Sequence, residues 1–124
     1  MNEADAIRQI LTHARTIAVV GLSPNPGRPS HQVARSLQAR GYRIIPINPN
    51  ASEILGEKAY PSLTAAAQDQ VIEVVNCFRR SKEIPPLVDE ALAIKAKAVW
   101  MQLGISHAAA AQKAKMAGLR VVQN

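Results

Sequence analysis

Short apolar segments alternate with helical patterns along almost the whole chain, and this alternation is the feature that most constrains the fold. The apolar segments are continuous runs, which indicates strands that are buried on both faces. Strands of this kind separated by helices are typical of a parallel sheet covered by helices. The predicted strands are Thr16–Val20, Tyr42–Ile47, Val71–Phe78, Ala98–Met101 and a last strand that begins with Leu119–Val122.

The predicted helices fall before and between these strands, at 3–14, from Ser30 to Gly41, around Ser62–Gln68, after Pro85-Pro86 and over Ser106–Ala117. Ser30 and Ser62 are of a residue type that caps helices, and Gly41 and Gly118 suit helix ends. A chain of 124 residues has the length of one domain. We therefore expect a single Rossmann-like domain over 1–124, a three-layer α/β sandwich. Its core spans 16–122, and its five-stranded parallel sheet has the order 2-1-3-4-5.

The charge balance favours an anionic ligand. Lys and Arg number 15 against nine Asp and Glu, which gives a net charge of +6 and a pI of about 10.0. One Trp, two Tyr and one Phe leave few stacking platforms for single strands, and no dense stripe of Lys and Arg runs along the sequence. We expect a compact polyphosphate ligand and no nucleic acid. Scattered solvated charges are the alternative explanation.

Several classes of protein are disfavoured. No apolar run reaches the roughly 20 residues of a membrane span, and the amphipathic, acid-containing N-terminus is not a secretory signal, so we expect a cytoplasmic protein without membrane contact. Cys77 is the only cysteine, which excludes an internal disulfide and a cysteine metal cluster. Its place after strand-forming residues predicts a small buried thiol. His13, His31 and His107 lack metal-type spacing, so no metal site is predicted.

The segment Thr16–Arg28, TIAVVGLSPNPGR, carries the clearest functional signal. A strand that stops at Gly21 and reopens as a helix exposes backbone N–H groups, and phosphates are usually held there. Gly21 lets the backbone approach a phosphate, Ser23 offers a hydroxyl and an amide, Pro24 stiffens the loop, and Arg28 adds a cation. Simple turn geometry for Gly21 and a solvated charge for Arg28 are the alternatives.

A second loop, Phe78–Ser81 with Arg79-Arg80, follows the third predicted strand. In the order 2-1-3-4-5 the winding direction reverses between the first and third strands. The crevice at their carboxyl ends is the usual binding site in such sheets. Both loops should therefore open into one crevice.

The dinucleotide fingerprint GxGxxG is absent, because the next glycine after Gly21 is Gly27. A NAD site also needs an acid after the second strand, where this chain has Asn48-Pro49. An uncharged residue there tolerates a phosphate near the ribose. The pattern argues against NAD and for a ligand that carries a ribose phosphate.

With these segments in view, the chain resembles the short, stand-alone CoA-binding proteins with a Rossmann-like domain. These are related to the CoA-binding domain of the succinyl-CoA synthetase α-subunit. The matching segments are VVGLSPNPGRPSHQVARSL (19–37), IPINPN (45–50), LGEKAYPSL (55–63), FRRSKEIPPLVDEA (78–91) and KAVWMQLGI (97–105). Together they cover nearly the whole chain from Thr16 onward.

The resemblance implies a ligand, CoA or an acyl-CoA, and a site. It implies diphosphate binding at Gly21, Leu22 and Ser23 beside Pro24, helped by Arg28 and Ser30. It implies adenosine near Asn48 and Pro49, an opposite wall made by Phe78, Arg79, Arg80 and Ser81, and a pantetheine arm flanked by Met101, Gln102 and Gly104. His31 either touches a phosphate or covers the loop, and Trp100 is read as a core residue.

No group of residues in the sequence assembles a catalytic set. We therefore expect non-catalytic binding of CoA or an acyl-CoA, in a regulatory or carrier role. Two alternatives stay open: a small NAD(P)-binding oxidoreductase, and an interaction or regulatory protein with a vestigial nucleotide site. A homo-oligomer or an unknown protein partner is compatible with either.

Overall fold

The computed structural model describes residues 8–10, 12–102 and 105–123, with the backbone alone for Gln123. Residues 8–10 and 12–13 are helical, in agreement with the predicted helix 3–14, whose other residues before 14 lie outside the described part. No helix in the described ranges is long and apolar enough to cross a membrane.

The centre of the fold is a parallel sheet of five strands: Thr16–Val20 (β1), Arg43–Ile47 (β2), Val74–Cys77 (β5), Ala98–Met101 (β6) and Arg120–Gln123 (β7). Their order across the sheet is β2-β1-β5-β6-β7. Counting these five alone, the order is the predicted 2-1-3-4-5, which is confirmed. Three strand starts differ from prediction by one to three residues, and Val71, predicted to open the third strand, is 80% exposed.

A short antiparallel hairpin after β2 was not predicted. It consists of Glu53–Ile54 (β3) and Glu57–Lys58 (β4). The turn between them holds Leu55 and Gly56 at φ values of 54° and 77°, the left-handed pair that a tight hairpin needs. Strands of two residues are too short to show a periodic pattern.

Together with the N-terminal helix, four α-helices in the described residues cover the sheet: Pro29–Ala39 (α1), Leu63–Asp69 (α2), Ile84–Ala93 (α3) and Ala108–Met116 (α4). The predicted cap at Ser62 is confirmed, because its Oγ accepts a hydrogen bond from the Ala65 N–H at 3.1 Å. The predicted cap at Ser30 is wrong. α1 begins one residue earlier, at Pro29, whose missing N–H suits the first helical position.

Two apolar layers make the core, one on each face of the sheet. One layer packs against α2, α3 and α4 and includes Val75, Val88 and Ala114. The other includes Ile17, Val19 and Leu37 and lies beneath α1 and the N-terminal helix. Trp100 is half-buried and packs against this second layer, as the sequence predicts. The three-layer α/β architecture is therefore confirmed.

Cys77 lies in the first layer with no exposed surface. Burial raises the pKa of its thiol to about 12. The thiol therefore stays protonated near neutral pH and is an inert part of the core.

Candidate functional site

An open cleft lies where the winding of the sheet reverses, at the carboxyl ends of β1 and β5. Its volume is about 300 Å³. The residues that line the cleft, and that define it, are Gly21, Ser23, Arg28, Pro29, Ser30 and Phe78. The structure therefore brings the two predicted loops together at one place.

Gly21 is required by the protein's own backbone. Its φ is +85°, and a Cβ at this position would lie 2.7 Å from the Phe78 carbonyl oxygen. The Gly21 N–H donates to the Ile47 carbonyl at 3.0 Å, and the Phe78 N–H donates to the Val20 carbonyl at 2.8 Å. The sequence interpretation assigned the space beside Gly21 to a phosphate. The Phe78 backbone occupies the space that a Gly21 side chain would need, while Gly21 also lines the cleft, so a phosphate contact at Gly21 stays a prediction.

The loop after Gly21 is held in shape by its own hydrogen bonds. The Ser23 N–H donates to Ser30 Oγ at 3.0 Å, and Ser23 Oγ accepts from the Asn25 N–H at 3.0 Å. Asn25 Oδ1 accepts from the Gly27 N–H at 2.9 Å. The Ser23 amide, predicted as a donor to the ligand, is thus already engaged. A loop ordered in this way loses little freedom when it binds a ligand.

Ser30 and His31 hold this loop from the first turn of α1, and both are buried. His31 Nδ1 lies 2.9 Å from the Ser23 carbonyl oxygen, so Nδ1 donates to it. This contact supports the interpretation of His31 as a residue that covers the loop. The first N–H groups of a helix have no partner within it, and at α1 they belong to Ser30 and His31.

Arg28 is the exposed cation of the cleft, and it stands directly before the first turn of α1. That turn contains no acidic residue. The positive end of the helix dipole and the Arg28 guanidinium therefore act on the same space, and both favour an anion.

Asn48 and Pro49 lie at the end of β2, next to the cleft but outside its lining. Asn48 Nδ2 donates to the Leu22 carbonyl at 3.0 Å, and its Oδ1 accepts from the Asn50 N–H at 2.8 Å. Asn48 thus ties the loop to β2. The Leu22 side chain is fully buried, whereas Pro24 and Pro49 are exposed.

The segment after Phe78 continues along the same end of the sheet without lining the cleft. Arg79 is half-buried and Arg80 is exposed. Ser81 Oγ accepts from the Ser106 N–H at 3.1 Å, which links this segment to the connection before α4. Two more cations therefore stand beside the cleft.

Met101 does not line a ligand surface. Its side chain has no exposed area and packs in the core, so a contact between this side chain and a bound arm, as predicted, has no support in this arrangement and stays untested. Gln102 follows it and is half-buried, with Nε2 donating to Asn76 Oδ1 at 2.7 Å. Gly104 lies outside the described residues.

Asn76 is a residue that the sequence reasoning missed. It sits in β5 with no exposed area, and its Nδ2 has no hydrogen-bond partner among the described residues. Buried side-chain amide groups that lack a hydrogen-bond partner are rare. The signal in the sequence was a single amide within the apolar strand Val74–Cys77.

Comparisons with known proteins agree with the geometry. The profile of the family described as CoA binding domain matches residues 15–124. The uncharacterized protein YneT of Bacillus subtilis (strain 168) is 42% identical over 118 residues, which are 95% of this chain and 86% of that protein. The solved structure of a hypothetical protein from Pyrococcus horikoshii OT3 superposes with a TM-score of 0.92 at 39% identity, covering 100% of this chain and 85% of that one.

A shorter match reaches a large enzyme. Acetate–CoA ligase (ADP-forming) II of Archaeoglobus fulgidus is 38% identical over 55 residues, which are 43% of this chain and 8% of the ligase. The resemblance drawn from the sequence segments is confirmed, and the chain belongs to the CoA-binding domain family.

Proposed function

We propose that the protein binds coenzyme A or an acyl-CoA without catalysing a reaction, and that the diphosphate occupies the cleft. The observation that carries this proposal is the place of the cleft. It lies at the reversal point of a parallel sheet, at the first turn of α1, with Arg28 at its mouth. Membership of the CoA-binding domain family supports the identity of the ligand.

Charge supports the same ligand. CoA carries a diphosphate and a ribose phosphate, about four negative charges at neutral pH. Arg28, Arg79 and Arg80 lie in or beside the cleft, and α1 adds its positive end. A compact polyanion of this charge fits a site where several positive groups converge.

The neutral side chain at Asn48 suits the adenosine end. An acid at this position would repel a ribose phosphate, whereas Asn48 holds the loop through its amide and carries no charge. The pantetheine arm would then run toward Gln102, whose side chain is fixed by Asn76.

Calorimetric titration tests the proposal, with CoA, acetyl-CoA, dephospho-CoA and NAD compared at one salt concentration. We expect CoA to bind, dephospho-CoA to bind more weakly, and NAD not to bind. Arg28→Ala should weaken CoA binding about fivefold, less at high salt, since an exposed charge contact is modest and screened. Arg35→Ala is the matched control, because Arg35 is an exposed cation of α1 outside the cleft lining. Binding of NAD without binding of CoA would contradict the proposal.

A further inference from the structure

The edge where the parallel strands begin carries a row of charged residues linked through the backbone. The Arg43 N–H donates to the Arg15 carbonyl at 2.8 Å, and the Arg15 N–H donates to the Glu73 carboxylate at 2.9 Å. The N–H groups of Lys97 and Arg120 donate to the Glu73 and Lys97 carbonyls at 2.8 and 3.1 Å. We call these five residues the amino-edge row, and they follow the strand order from β2 to β7.

The row is strongly positive. Its four cationic residues are exposed, and none of them is in the ion pairs of the described residues, Lys58–Asp69 and Lys113–Asp89. Glu73 is its one acid. The Glu73 carboxylate accepts hydrogen bonds from the N–H groups of Arg15 and Thr16 at 2.9 and 3.0 Å, and it thereby holds the start of β1 in place.

Helix ends add more cations at the same edge. Arg40, Lys95 and Lys115 are exposed and stand at the C-terminal ends of α1, α3 and α4. The negative end of the helix dipole stabilises cations at these positions, and this effect explains why Arg40, Lys95 and Lys115 stand there. The cations of the amino-edge row precede or open strands, so the helix dipole does not explain their positions.

We propose that the amino-edge row binds duplex nucleic acid through its phosphates, without sequence preference. Neighbouring strands lie about 4.8 Å apart, so the five strands hold the cations along a line of about 19 Å. The four cations stand along this line on both sides of Glu73, and exposed Lys and Arg along a line can contact several phosphates of an extended polymer. Lys and Arg that meet only phosphates carry no sequence information.

Two observations favour a duplex over other anionic partners. Single strands need aromatic platforms, and the row has none. Anionic membranes are bound by amphipathic helices with large apolar side chains. The exposed large hydrophobic residues of the described chain are Val71, in the connection before β5, and Met116, at the end of α4, so they form no apolar helix face. A second copy of this edge would be repelled by its own charge.

This proposal reverses the expectation of no nucleic acid, and the structure supplies the reason. The expectation depended on the scarcity of aromatic residues, which disfavours single strands, and on the lack of a basic stripe along the sequence. The four cations come from distant segments, and the parallel register assembles them.

The experiment is a titration of a fluorescent duplex of about 20 base pairs between about 50 and 200 mM salt. Four phosphate contacts predict a slope of about −3.6 for log K against log salt, a loss of about 150-fold over this range. The double variant Lys97→Ala/Arg120→Ala should make the slope shallower, about −1.8, so that affinity falls only about 12-fold over the same salt range. The control Lys58→Ala/Lys113→Ala removes two charges elsewhere and should keep the parent slope.

Equal effects of the two double variants would overturn the proposal, because net charge alone would then explain binding. Failure of the parent protein to bind at about 50 mM salt would also overturn it, as would tighter binding to phosphatidylserine vesicles than to the duplex. CoA titration of both variants shows that they are folded. Since the row lies at the opposite edge from the cleft, loss of duplex binding with CoA binding kept, or the reverse, separates this proposal from the proposed function.

Discussion

The two edges of the sheet both carry exposed cations, yet they differ in shape. At the carboxyl edge, buried side chains and loop hydrogen bonds shape a concave cleft, and Arg28 is the one charged residue among the six that line it. At the amino edge, exposed cations stand in a row across the strand starts, partly beside the N-terminal helix. Charge of one sign therefore indicates an anionic partner, and only the surrounding backbone distinguishes a compact ligand from an extended one.

Helix direction strengthens this contrast. α1 begins at the carboxyl edge, where its positive end adds to Arg28. The helices end at the amino edge, where their negative ends partly offset the cations beside them. Each cation at the cleft should therefore attract an anion more strongly than a cation of the amino-edge row.

The largest effect is expected from Gly21→Ala. A Cβ would lie 2.7 Å from the Phe78 carbonyl oxygen, and the φ of +85° strains any side chain. We expect a loss of about 3 kcal/mol in the free energy of unfolding, measured with urea. Gly118→Ala is the control, because its φ is +94° and no atom lies within 4 Å. It should lose only about 1 kcal/mol. Equal losses would show that the close approach of Phe78 costs nothing.

A smaller effect is expected from Ser30→Ala at the cleft. The half-buried Ser23 N–H would lose the buried Ser30 Oγ that accepts it at 3.0 Å. Thermal unfolding should show a loss of about 1–2 kcal/mol, and CoA affinity should fall because the loop is freed. Ser36→Ala on the exposed side of α1 should leave both values nearly unchanged. A similar loss in both variants would contradict the role given to Ser30.

Asn76→Leu should separate stability from binding. Leu has a similar shape and removes the buried Nδ2 that lacks a partner, so the free energy of unfolding should rise by about 1 kcal/mol. Gln102 would lose its 2.7 Å contact, and CoA affinity should fall if Gln102 borders the pantetheine arm. Reduced stability together with unchanged affinity would show that Asn76 serves the core alone.

The smallest effect is expected at Cys77 in the folded protein. Since burial raises the pKa of the thiol to about 12, iodoacetamide should not modify it at neutral pH until urea unfolds the chain. The thiol of the unfolded protein ionises at a lower pH than the buried thiol of the folded protein, so ionisation favours unfolding. The contribution of the protonated Cys77 thiol to the free energy of unfolding is therefore complete below about pH 9 and is lost as the pH rises toward 12. Rapid labelling of the folded protein would contradict the burial of this residue.

The sequence predicted the cap at Ser62 from a local residue pattern. It predicted the sheet order from the alternation of strands and helices together with the right-handed crossover rule. It misplaced the start of α1, since Ser30 has the right chemistry but Pro29 has the right geometry for the first helical position. It recognised that Gly21 was special without showing that Phe78, far along the chain, makes it so. The amino-edge row was invisible for the same reason, because parallel pairing joins residues that lie far apart in sequence.

Amide hydrogen exchange with and without CoA tests the central claim most directly, since it reports on both edges in one experiment. CoA should slow exchange in the segment from Ser23 to Ser30 and at Phe78, and should leave Lys97 and Arg120 unchanged. Protection confined to the amino edge, or none at saturating CoA, would contradict the assignment of the cleft as the CoA site.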